Sequence, residues 1–92
     1  MSLSVPTIIN LTLTNANTEY SQALKSFASR FSIQCRTVAD IKLSFTSGQS
    51  GATYITIPGG STFTQNGIFS GVLTLYVQSP SAGAVVEILE WS

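Results

Sequence analysis

Histidine is missing altogether and cysteine occurs once, at Cys35, in a chain of 92 residues. A lone cysteine cannot close an internal disulfide, and without histidine every common zinc constellation is out of reach. The same gap removes the usual base for a thiol or hydroxyl nucleophile. Charge is nearly as scarce. Four Lys and Arg stand against four Asp and Glu, 9% of the residues where about 25% is usual. Lys25, Arg30, Arg36 and Lys42 are scattered and balanced by acids, so there is no basic field for phosphates, and nucleic acid is not an expected partner. No stretch approaches the roughly 18 apolar residues of a spanning helix, and residues 1–11 have neither a basic segment nor the apolar run of a signal peptide. The expectation is a soluble protein, made without an export signal and with no membrane partner.

What is present is a surface stock of Ser, Thr, Asn and Gln around short apolar runs. The length fits a single domain over 1–92, with residues 1–6 as an extended N-terminal arm. Folding a chain this small hides only about two thirds of its unfolded surface, which leaves a thin stability margin. A formal charge of zero gives copies little reason to repel one another. Both features lean towards an assembling protein.

Strand signals recur along the chain, each a run of Val, Ile, Thr, Tyr or Phe bounded by turn residues. Residues 7–14 alternate Ile9, Leu11 and Leu13 with Asn10 and Thr12 behind an entry proline, Pro6. Residues 30–36 set Phe31, Ile33 and Cys35 on one side, and residues 40–46 do the same with Ile41, Leu43 and Phe45. The connection 37–39 is short enough to predict that these two strands pair as an antiparallel hairpin. Further strands are expected at 54–57 with Ile55 and Ile57 inward, at 61–65 after Pro58-Gly59-Gly60, at 72–78 after Asn66-Gly67, and at 84–91. Residues 17–31 are ambiguous, because Tyr20, Leu24, Phe27 and Phe31 also fall at helical spacing behind a cap at Thr18; a strand over 19–24 followed by a loop is preferred. The sum is an all-β fold, one small antiparallel β-sandwich of about eight strands, jelly-roll or Greek-key like.

Candidate chemistry is thin. Glu19, Asp40, Glu87 and Glu90 show no spacing that marks an acid/base pair, and they read as solvated or ion-paired surface groups. Cys35 alternates with core residues and reads as a small apolar side chain. Gly48, Gly51, Gly59 and Gly60 lack the pattern of a phosphate loop and read as turns. Asn10-Leu11-Thr12 matches the glycosylation sequon inside a strand. No catalytic residue, cofactor or metal is expected, and the chain is not expected to be an enzyme. Tyr54 and Tyr76, emerging beside Thr56, Thr74 and Gln78, and Trp91 near the C-terminus are the candidate interface residues. They suit a protein contact, a sugar platform or cross-strand packing within one sheet.

From Phe31 to Trp91 the sequence resembles small virion structural proteins of tailed bacteriophages, of the capsid decoration or cement kind. The similar parts are FSIQCRT at 31–37, DIKLSF at 40–45, YITIPG at 54–59, LYVQS at 75–79 and AGAVVEI at 82–88. They are strand-and-turn signatures, and tail or fibre accessories share them. The resemblance implies a β-rich subunit of the virion, assembled in the host cytoplasm, docked on major capsid or other virion protein and often a symmetric homo-oligomer. It brings over no contact residues. Residues 25–29, Lys-Ser-Phe-Ala-Ser, depart from the Pro or Gly turn expected of relatives. A carbohydrate-binding module is the alternative from another class. Because few charges guard the sheet edges, a terminal segment, 1–7 or 87–92, is expected to pair with another chain.

Overall fold

The computed structural model of the chain describes residues 6–24, 29–37, 39–66 and 73–91. Eight strands follow in order: β1 (Thr7–Leu13), β2 (Tyr20–Ala23), β3 (Arg30–Cys35), β4 (Ile41–Ser44), β5 (Ile55–Ile57), β6 (Thr62–Asn66), β7 (Thr74–Gln78) and β8 (Ala84–Trp91). All strand pairs are antiparallel, and they form two four-stranded sheets of order β1-β8-β3-β6 and β2-β7-β4-β5. Only β4 and β5 are neighbours both in sequence and in a sheet; every other connection passes from one sheet to the other. That alternation is the topology of an eight-stranded jelly roll.

The alternating segments explain the layers. Odd positions of β3 and even positions of β8 point inward, so Phe31, Ile33, Val86 and Ile88 meet Ile41, Leu43, Leu75 and Val77 of the second sheet in a closed core. Phe31 is its centre, touching Phe45 edge-on and Phe63 at a tilt, both with centroids 6.2 Å away. Fully burying a side chain of this size contributes about 1.5–3 kcal/mol, so the thin core still supplies the main stabilising term. Cys35 is half-buried against this core, and its Sγ lies 3.4 Å from Thr37 Oγ1.

The ambiguous second segment is a strand. Thr18 caps no helix; its hydroxyl donates to Ala16 O (3.2 Å) in a turn where Asn17 takes a φ of 54°. Phe27 lies outside the described residues, as do residues 1–5 of the arm, Gly67 and Val72.

Four expectations need correction. β3 and β4 do not form a hairpin, because both edges of β3 are taken by β8 and β6. Their five-residue connection, reaching about 16 Å, also spans the roughly 10 Å between stacked sheets, so shortness cannot tell a hairpin from an arch. Phe45 and Ile55 are not sealed inside: β4 ends at Ser44 and β5 is an edge strand, which leaves them 41% and 45% exposed at the rim. Glu90 is no surface group, since the alternation of β8 turns it inward beside Ile88 and leaves it 3% exposed. Finally, residues 87–91 cannot pair with another chain, because β8 lies between β1 and β3 and both of its edges are used.

Candidate functional site

The three aromatic candidates lie on two different faces. Tyr76 projects from the outer face of the second sheet, where it is in register with Ser21 on β2 and Ser44 on β4. Tyr54, one residue beyond the Leu43–Ile55 pair, continues that row past Ser44. Ser44 is outward-facing yet only 6% exposed, as a small residue flanked by two large rings would be. Tyr54 itself is 40% exposed, and Lys42 Nζ stands 4.9 Å from its ring centroid. Trp91 belongs to the first sheet, opposite Arg30 on β3, and the Arg30 guanidinium carbon sits 4.0 Å from its ring centroid. Tyr54 and Trp91 therefore each have a cation held over the ring, an arrangement that stabilises modestly at a surface.

Two shallow depressions accompany these faces. One of about 400 Å³ lies on the first sheet among Ile8, Ser32, Gln34, Thr62, Glu87 and Leu89. Its polar groups are spoken for: Thr62 Oγ1 donates to Gln34 Oε1 (2.9 Å), Gln34 Nε2 to Glu87 Oε1 (2.9 Å) and Arg36 Nε to Glu87 Oε2 (3.0 Å). The Gln34 amide first, and then Arg36, hold the Glu87 carboxyl below the usual carboxylate range. The other, about 250 Å³, lies at the rim of the second sheet among Leu43, Ser44, Phe45, Thr46, Thr53, Tyr54 and Ile55. Here Phe45, Tyr54 and Ile55 all line the depression, each at least 40% exposed, Tyr54 from the outward row and Ile55 from the inward one.

The loop bordering that rim is anchored by Glu19. Its Oε1 accepts from the Ser50 hydroxyl (2.5 Å) and Ser50 N (3.0 Å), and its Oε2 accepts from Gly48 N (2.8 Å). The Ser50 hydroxyl foremost, then the Gly48 amide, lower the pKa of Glu19 against an opposing effect of partial burial. Asp40 Oδ1 accepts from Gly59 N (2.9 Å) and so fastens the β5–β6 turn. The four carboxylates thus sit on separate elements or, for Glu87 and Glu90, on opposite faces of β8. Among the described residues no group of three His, Cys, Asp or Glu could hold a metal. The described residues contain no helix long and apolar enough to cross a membrane.

Sequence reasoning picked Tyr54 but passed over Phe45, Ile55 and Ile8, the last being 71% exposed. The signal available was position: apolar residues at strand ends and on edge strands keep their alternation yet lose their cover.

No protein-family model matches the chain, and no curated protein matches it. Among solved structures it is similar to a de novo designed double-stranded β-helix determined by solution NMR, with a TM-score of 0.59, 15% identity, and 95% of this chain and 99% of that chain covered. An identity that low speaks for the fold alone.

Proposed function

We propose that the chain is a non-enzymatic structural subunit of a tailed-phage virion that docks on the capsid lattice, or on another virion protein, as a decoration or cement protein. The observation that carries this reading is the depression at the rim of the second sheet, beside edge strand β5, where Phe45, Tyr54 and Ile55 are each at least 40% exposed. Protein interfaces favour exposed aromatic anchors of this kind. Local pairing of the carboxylates and cations supports a binding rather than a chemical role, since a general acid needs a raised pKa and Glu19 and Glu87 are lowered.

A subunit bridging neighbouring shell proteins stabilises only the assembled state, by mass action. Shells carrying the protein should therefore resist heating better than shells without it, and Ile55→Asp should abolish that gain while the free protein still folds. Equal melting of shells with and without the protein would overturn the reading. A glycan platform on Tyr54, Tyr76 or Trp91 is less favoured, because Lys42 and Arg30 stand over two of those rings where a sugar would stack.

A further inference from the structure

We infer that two copies of this chain pair edge to edge through β1, which would join the two four-stranded first sheets into one sheet of eight strands across a two-fold axis. This rests on the reading of the protein as an assembling subunit and specifies how copies meet. β1 is an edge strand of seven residues, TIINLTL, with no charge and no proline inside it. Natural edge strands are normally blunted by such residues. Here Pro6 stands just before the strand and bounds it at one end.

The backbone parity is fixed by the ladder itself. Arg36 N donates to Val85 O (2.7 Å), so Val85 turns its peptide groups towards β3. In an antiparallel sheet successive residues turn to opposite sides, so Val86, Ile88 and Glu90 turn theirs towards β1. Their register partners Leu11, Ile9 and Thr7 face β8, which leaves Ile8, Asn10 and Thr12 presenting N–H and C=O to the outer edge.

A two-fold axis at Asn10 uses all of these groups. Asn10 then faces Asn10 of the second copy, and Ile8 faces its Thr12. Three donors and three acceptors on each strand close a ladder of six hydrogen bonds. On the inner side, Ile9 meets Leu11 of the second copy, apolar against apolar, and both are only half-buried in a single copy. Moving the axis to Ile9 sets Thr12 against Pro6, which has no N–H to donate, and moving it to Leu11 sets Ile8 against Thr14, beyond the end of the strand.

The other edges fail the same test. On β6 the parity exposes Thr62, Thr64 and Asn66, and an axis at Thr64 would set Phe63 against Gln65. The Asn66 carbonyl already accepts from Gln65 Nε2 (3.0 Å). β2 has four residues and β5 three, too few for a comparable ladder.

Cysteine scanning in a Cys35→Ser background tests the pairing. Directly hydrogen-bonded partners have Cα atoms about 5.5 Å apart, within disulfide reach. Asn10→Cys should therefore oxidise to a covalent dimer, seen by non-reducing electrophoresis and intact mass. Ile8→Cys alone should not, but Ile8→Cys mixed with Thr12→Cys should. Asn10→Lys, which changes only an exposed side chain, should keep the thermal melt of a dilute sample and shift the sedimenting mass from two copies to one. Cross-linking of Ile8→Cys or Thr64→Cys as readily as Asn10→Cys, or an Asn10→Lys protein that keeps the wild-type dimer mass, would overturn the inference. So would a wild-type chain that sediments as one copy at every concentration tried. A single copy that still protects shells sinks the pairing and spares the proposed function, whereas a β1 dimer without effect on shells does the reverse.

Discussion

At the scale of the residue, Glu19 is a side chain whose ionisation bears on local order. Three hydrogen bonds run into its carboxylate from the 48–50 backbone and the Ser50 hydroxyl, and Ser50 is only 1% exposed. The folded protein therefore holds the pKa below the ordinary 4.5. A lowered pKa contributes stability that is present above the unfolded value and lost as pH falls through the folded one. Urea melts of the wild type should show this contribution intact at neutral pH and fading below about pH 4.5. Glu19→Gln should lose about 1 kcal/mol at pH 7, discounted for partial exposure, and show a flatter decline on acidification. Parallel pH curves for the two proteins would show that the contact carries no linkage. Glu19 was overlooked as an anchor from sequence because its partners lie about thirty positions ahead, beyond any local pattern.

Among the elements, the turn before β8 is a place where backbone geometry alone decides the outcome. Gly83 has a φ of 78°, its N–H donates to Leu13 O (2.8 Å), and no atom lies within 4 Å of where a Cβ would stand. Gly83→Ala should thus cost only the left-handed strain, about 1–2 kcal/mol, and Gly83→Asn distinctly less. Thermal melts of the three proteins would check this, and an alanine variant as stable as the asparagine one would contradict it.

The strands on either side of such turns were largely legible. The bounds of β8 were legible, though not the inward turn of Glu90, and β1, β3 and β7 were legible by their alternation, because period 2 is a local property. Which strand pairs with which was not legible: β3 and β4 looked like a hairpin, and only competition from β8 and β6 for the edges of β3 makes them an arch. The candidate site suffered likewise. Tyr54 was visible as an outward aromatic, but the exposure of Phe45 and Ile55 depends on β4 ending at Ser44 and on β5 lying at the edge of its sheet.

For the whole molecule, electrostatic economy sets the character of any association. Of the described cations, Arg36 bonds Glu87, Arg30 covers Trp91 and Lys42 covers Tyr54. With a formal charge of zero, long-range attraction has little to act on. Binding to shells should therefore change little between low and high salt, where a charge-steered interface would weaken steeply. Co-sedimentation across a salt series would measure this, and a steep loss of binding with added salt would point to a charged interface instead.

The placement of β8 between β1 and β3 also dictates when the first sheet can exist during translation. The ribosome releases β1 first of the eight strands, yet the neighbour that β1 needs inside its own chain is the eighth. An uncharged strand must wait, unzipped, while nearly the whole domain is made, and a nascent chain halted before residue 84 lacks β8, the strand that pairs with β1 among the described residues.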